Sequence, residues 1–148
     1  HMGNCGELCA STYQITREEQ DAFAVQSYQR ASSAWASGKF ADEVVPVEIA
    51  GKRNESNTLV CQDEEFTNFK PEKVKTLRPA FKKENGTITA ANSSKLNDGS
   101  AAMVIVSGRL CKELNLKPLF RILGFGDAAK EPVEFTTAPS DVILDFDF

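Results

Sequence analysis

Histidine is almost missing from this chain: of 148 residues, the one imidazole is that of His1. Without an internal histidine, neither a Ser-His-Asp nor a Cys-His relay can be assembled from the chain alone. The four cysteines, Cys5, Cys9, Cys61 and Cys111, contain no C-x-x-C pair. They offer neither a Cys/His zinc framework nor a disulfide scaffold, and none has a visible activating base. A reduced, intracellular setting is expected, cytoplasmic or mitochondrial. No apolar run approaches the ~18 residues of a membrane span, and no secretory signal opens the sequence, so no membrane is expected as a partner. Matches to Asn-x-Ser/Thr at Asn54, Asn85 and Asn92 read as chance in that setting. Positive charge is in deficit too: 17 Lys+Arg against 21 Asp+Glu give a net charge of −4, with no overall basic footprint for nucleic acid.

What is present suits one domain or part of a larger one, with ten phenylalanines toward a modest core. Residues 1–15 show no clear pattern. Thr16-Arg17-Glu18-Glu19 has capping-box spacing, and Ala24, Tyr28, Ala31 and Trp35 follow on one helical face until Gly38. Gln20, Asp21, Gln26 and Arg30 are expected on the other face, solvated or against a partner. Val44 to Ile49, confined to an edge by Pro46, and Thr58 to Cys61 predict a small hairpin. Gln62 to Lys83 reads as an ordered loop with helical turns. Thr87 to Thr89, Ala101 to Val106 and Leu119 to Phe125 predict strands, the second buried on both faces. Leu110 to Leu114 predicts a short helix, and Val142 to Phe148 a sticky edge strand whose partner lies outside the chain.

The chemistry carried by these residues is thin. Asn92-Ser93-Ser94 with Asn97-Asp98-Gly99 suits either a polar binding loop or a tight turn, the turn being the commoner use. Lys70, Lys73, Lys75, Arg78, Lys82 and Lys83, interleaved with Phe69 and Phe81, suit a nucleotide phosphate with an aromatic ring by its base. A solvated charged loop is the plainer alternative. Tyr28, on an apolar face, is more often core than ligand. No residue stands out as a nucleophile.

Taken together, the segments resemble a known family. Ile15 to Ala24 (Ile-Thr-Arg-Glu-Glu-Gln-Asp-Ala-Phe-Ala), Asp42-Glu43-Val44-Val45-Pro46-Val47, Leu77-Arg78-Pro79-Ala80-Phe81, Gly86 to Ser94 and Leu96 to Ala102 match motifs of the thiolases in order. Gly126 to Ala129, Glu131-Pro132 and Thr136 to Pro139 resemble the acetyl-CoA acetyltransferase branch. The resemblance implies an α/β fragment of the five-layered αβαβα thiolase fold, mainly its loop domain, with a helix, a small hairpin and part of the core sheet. Residues 1–86 would be the loop domain that covers coenzyme A and 87–115 the end of the N-terminal half. Residues 116–139 would begin the C-terminal half, and 140–148 would be an atypical tail.

For the parent, the resemblance implies an acyltransferase that condenses two acetyl-CoA to acetoacetyl-CoA or cleaves it by thiolysis, working as a homo-oligomer. The acylated cysteine and the Gly-His-Pro histidine of the family have no match here, so the segment would seat coenzyme A rather than perform the chemistry. A non-catalytic CoA-binding or interaction module derived from a thiolase is the alternative. Ser94 matches a serine that contacts pantetheine, Lys73 a lysine near the phosphates, and Phe81 a phenylalanine beside the cofactor. Asn68, Phe69 and Lys70 occupy CoA-contacting loop positions with side chains that differ from the family's. Tyr28, with Ala90, Ala91 and Ser93 through their carbonyls, falls where potassium-activated members bind K⁺, near the CoA seat. Met2, in His1-Met2-Gly3, resembles a methionine near pantetheine, although His-Met is also a common expression-vector scar.

Overall fold

The computed structural model describes residues 1–52 and 55–144. Its longest element, α2 (Arg17–Ala36), starts with the capping box that the sequence predicts. The Thr16 side chain accepts from the Glu19 amide at 3.2 Å, and Glu19 accepts from the Thr16 amide at 2.8 Å. It ends in a Schellman turn: Gly38 takes φ +69°, and the Lys39 amide reaches back to the Ala34 carbonyl at 3.0 Å. Ala24 is buried and Tyr28, Ala31 and Trp35 half-buried, so the predicted face does pack inward.

Before it lies α1 (Met2–Thr12), where the sequence shows no pattern. Its buried face is Gly3, Glu7 and Ala10, which has helical spacing but almost no hydrophobic signal. His1 Nδ1 accepts from the Gly3 amide at 3.1 Å to cap the helix. Gln14 ends it at φ +55°, with the Ile15 amide bonded to the Ala10 carbonyl at 2.8 Å. Gly3 is required here by close approach, because a Cβ would land in the ring of Phe81.

Strands β1 (Val47–Ile49) and β2 (Thr58–Val60) form the hairpin, antiparallel, with Glu48 opposite Leu59. β1 begins just after Pro46, as a residue without an N–H dictates. A single turn, α3 (Pro71–Val74), interrupts the charged loop and buries Val74. Helix α4 (Gly108–Glu113) carries the predicted short helix, capped by Ser107. After a 3-10 turn at Phe135–Thr137 that packs on α1, α5 (Ala138–Leu144) ends the described chain.

Five expectations need correction. Ala101 to Val106 and Leu119 to Phe125 are not strands but irregular, exposed chain: Val104, Leu119 and Phe125 are each 92% exposed. Thr87 to Thr89 joins no sheet, its one backbone tie being the Ala80 amide on the Ile88 carbonyl at 2.8 Å. Val142 to Leu144 is helical, and the rest of that predicted strand, 145–148, lies outside the described residues. Asp21 is buried rather than solvated. The first two corrections share a cause: a strand exists only through the backbone that pairs with it, and among the described residues none is offered. The molecular surface, 13022 Å², compares with ~7,500 Å² for a compact chain of this mass. No helix among the described residues is long and apolar enough to cross a membrane.

Candidate functional site

The interior is polar. Apart from Ala10, Ala24 and Val74, the buried side chains named among the described residues are Glu7, Asp21 and Thr89. Burying such groups is tolerable only when each is hydrogen-bonded, and each is. Glu7 of α1 takes the Thr87 amide at 2.9 Å, the Ile88 amide at 2.9 Å and the Thr87 hydroxyl at 3.0 Å. Asp21 of α2 accepts from Arg17 Nε at 2.8 Å and from Asn92 Nδ2 at 3.0 Å. The same Arg17 donates through Nη2 to the carbonyls of Val74 and Leu77, at 2.9 and 3.1 Å, closing the end of α3.

Asn92 completes the joint. Its Oδ1 accepts from the Thr89 amide at 2.7 Å, and its Nδ2 also reaches the Thr87 carbonyl at 3.0 Å. The segment 87–93 is thus clamped from α1 by Glu7 and from α2 by Asp21. Of the two sequence readings of Asn92, the structure supports the turn. Asn97, Asp98 and Gly99 stay exposed and make no such contacts.

On this clamped turn sit three of the residues singled out above. Ala90 is exposed, and Ala91 and Ser93 are half-buried, with Ser93 Oγ donating to the Thr89 carbonyl at 2.7 Å. Ser94, next along, is exposed with no secondary structure of its own. Tyr28 stacks on Phe69 with ring centroids 3.9 Å apart and planes 2° from parallel. Its hydroxyl donates to Glu65 Oε1 at 3.1 Å, and the same oxygen faces Lys95 Nζ at 3.2 Å. Burial raises the Tyr28 pKa from its ordinary 10.0, and the hydrogen bond to Glu65 and the charges of Glu65 and Asp63 push it further. Lys95 therefore links the chain beyond Ser94 to the Tyr28–Phe69 stack. Asn68 and Lys70, flanking Phe69, are exposed.

A second cluster lies by α1. Phe81 packs on Gly3 and leans on the His1 ring, centroids 4.7 Å apart, while Met2 is 67% exposed beside them. Lys73 belongs to α3 and is exposed, as are Lys70, Lys75, Arg78, Lys82 and Lys83. The structure so brings Tyr28 to Phe69 and Phe81 to the neighbourhood of Met2. It makes no comparable link to Asn68, Lys70 or Lys73. Sequence reasoning missed Glu7, Asp21, Arg17, Glu65 and Lys95 as organising residues. The one local signal was the i, i+4 pairing of Arg17 with Asp21, which is as readily an exposed ion pair.

A potassium ion takes uncharged oxygens readily, carbonyls above all. A phenol oxygen and the carbonyls of a tight turn are the right kind of donor, with Glu65 adding negative charge beside Tyr28. Those residues fit such an ion by donor type. Cys5, Cys9, Cys61 and Cys111 are all free thiols. Among the described residues no group of three His, Cys, Asp or Glu side chains is placed to hold a metal ion.

Comparison with known proteins bears on these positions. A family model described as "Thiolase, N-terminal domain" matches residues 1–109. Acetyl-CoA acetyltransferase 2 of Arabidopsis thaliana is 50% identical over 139 residues, which are 94% of this chain and 34% of that protein. Acetyl-CoA acetyltransferase of Schizosaccharomyces pombe is 52% identical over 139 residues, 94% of this chain and 35% of that one. The crystal structure of Acat5 thiolase from Ascaris suum in complex with coenzyme A superposes with a TM-score of 0.83 at 44% identity, covering 97% of this chain and 36% of that chain. The chain spans about a third of the length of the relatives it matches.

Proposed function

The chain belongs to the thiolase family, and from that premise we propose that it is the coenzyme A-seating part of an acetyl-CoA C-acetyltransferase. The parent would condense two acetyl-CoA to acetoacetyl-CoA, or cleave acetoacetyl-CoA by thiolysis, as a homo-oligomer within a reducing intracellular compartment. The observation that carries this reading is the pair of aromatic contacts, Tyr28 on Phe69 and Phe81 on Gly3, each beside an exposed residue of the expected CoA set. The Ascaris suum relative, being in complex with coenzyme A, supports it.

In this reading residues 1–86 cover the coenzyme and 87–115 close the N-terminal half. Residues 116–139 open the C-terminal half, and 140–148 form a tail of its own kind. Ser94 offers its hydroxyl to the pantetheine amides, and Met2 and Phe81 give that arm an apolar wall. Lys73, with Lys70 beside it, meets the phosphates, where ionised partners make the stronger hydrogen bonds. Asn68 and Phe69 border the same loop, Phe69 fixed by its stack on Tyr28. Potassium, held by Tyr28 and the carbonyls of Ala90, Ala91 and Ser93, would supply positive charge at the turn beside the coenzyme seat. No nucleophile or general base in the chain is assigned to the acyl transfer; those groups would come from the rest of the parent.

Titration of the chain with coenzyme A, followed by amide NMR in potassium buffer, tests the proposal. Saturating shifts centred on 66–73, 81 and 90–95 that vanish in Ser94→Ala are the expected result. A dispersed spectrum that ignores coenzyme A at millimolar concentration would refute an autonomous seat for the coenzyme.

A further inference from the structure

One carboxylate oxygen joins three segments of the chain. Glu65 Oε1 accepts the Tyr28 hydroxyl of α2 and faces the Lys95 ammonium just past Ser94. The Glu65 amide in turn donates to Asp63 at 2.8 Å, which folds the loop locally. Its neighbour Phe66 lies against Trp35 near the end of α2, ring centroids 5.9 Å apart. Asp63, Glu64 and Glu65 place three acidic residues in succession, so bringing this loop onto α2 concentrates negative charge that needs an opposing one.

We propose that Lys95 is a tethered cation at this node, balancing Glu65 so that closure of the 63–69 loop on α2 does not depend on a free monovalent ion. The inference rests on the potassium reading of Tyr28, Ala90, Ala91 and Ser93 given above and refines it. An ammonium is close to K⁺ in size, carries the same charge and donates to the same oxygens. Held two residues beyond Ser93, it is supplied at high effective concentration, whereas a solute ion must be drawn from bulk. Lys95 acts as a positioning residue: it touches Glu65, and through Glu65 it holds Tyr28 and the stacked Phe69.

Trp35, the only tryptophan, reports on the loop through Phe66. The test is acrylamide quenching of its fluorescence in the full chain, compared in KCl and in choline chloride at equal ionic strength. Wild type should give the same quenching in both salts. Lys95→Met should raise the open fraction of the loop about two- to fivefold in choline chloride, the range for a half-exposed ion pair, and KCl should lower it again. Lys95→Arg should match wild type in both. If Lys95→Met is loosened equally in both salts, Lys95 is upheld as the tie and the potassium reading alone falls. Wild type that needs KCl to reach low quenching would overturn the proposal, as would Lys95→Met indistinguishable from wild type in choline chloride. Circular dichroism of α2 identifies a variant that fails to fold. In that case Glu65→Gln, which keeps an acceptor for Tyr28 but releases the lysine, must reproduce the loosening or the proposal is overturned.

Discussion

Replacing Asn92 by alanine should destabilise the chain far more than an exposed substitution does. The amide makes three hydrogen bonds at once, to the Thr89 amide, the Thr87 carbonyl and the Asp21 carboxylate. Thr89 is 0% exposed and Asp21 7%, so the partners left behind have little access to water. The two neutral bonds contribute roughly 1 kcal/mol each and the one to the carboxylate roughly 2 kcal/mol. Water entering the vacated space would return part of that, leaving a loss of about 3 kcal/mol, or a hundredfold or more in the unfolding equilibrium. Urea unfolding followed by Trp35 fluorescence would measure it, with Ser94→Ala as an exposed control expected to stay within about 0.5 kcal/mol of wild type. Asn92→Asp is the sharper variant. It preserves shape but removes both donors and sets a second carboxylate against Asp21, so it should cost at least as much as alanine. An Asn92→Ala midpoint equivalent to less than about 1 kcal/mol, or an Asn92→Asp chain as stable as wild type, would refute the clamp as the organiser of this interior.

Glu7→Gln should also be costly, by about 2 kcal/mol or more, because it leaves one acceptor where two adjacent amides and a hydroxyl now converge; the same urea series measures it. Gly3→Ala should displace Phe81 and shift its ring resonances, with little change at the hairpin. The raised pKa of Tyr28 means that the folded state prefers the protonated phenol. Its stabilising contribution is therefore complete below the ordinary value of 10.0 and is lost as pH rises through the higher folded value. Tyr28→Phe should flatten that alkaline limb of a stability–pH curve. Glu19 has its pKa lowered by the Thr16 amide and then the Thr16 hydroxyl, so its cap holds above the ordinary value of 4.5 and fails as pH falls through the lower folded value. Glu19→Gln should remove the acid-induced fraying at the start of α2 seen by hydrogen exchange. Leu119→Lys and Phe125→Lys, at positions 92% exposed, should reduce self-association in ultracentrifugation without lowering the melting temperature.

The elements readable from sequence were those whose cause is local. The capping box of Thr16 and Glu19, the glycine that ends α2 and the proline that delays β1 each act within a few residues. Helix α1 escaped because hydrophobic periodicity looks for apolar residues facing inward, and here a glycine, a glutamate and an alanine do so. The same blind spot put Asp21 on the wrong face. Ala101 to Val106 and Leu119 to Phe125 have strand composition, but composition records what a segment is suited to bury, not whether a partner is at hand. At the candidate site, Tyr28, Phe69, Phe81 and Ser94 stood out by pattern alone, as a helix face, aromatics among lysines and a small polar loop, but only family resemblance gave each a role toward coenzyme A. Glu65 and Lys95 could not be found that way, because their pairing spans 30 residues and neither lies in a quoted motif.

An interior built from carboxylates, amides and hydroxyls has a thermal consequence. Exposing apolar surface raises the heat capacity on unfolding, whereas exposing polar surface lowers it. With Ala10, Ala24 and Val74 as its buried hydrophobic side chains and Glu7, Asp21 and Thr89 beside them, the chain should have a small increment. Its free energy of unfolding would then fall almost linearly with temperature instead of arching to a maximum near about 10–20 °C. Cooling would keep strengthening the fold, and the calorimetric trace would show nearly parallel baselines on either side of a broad melt.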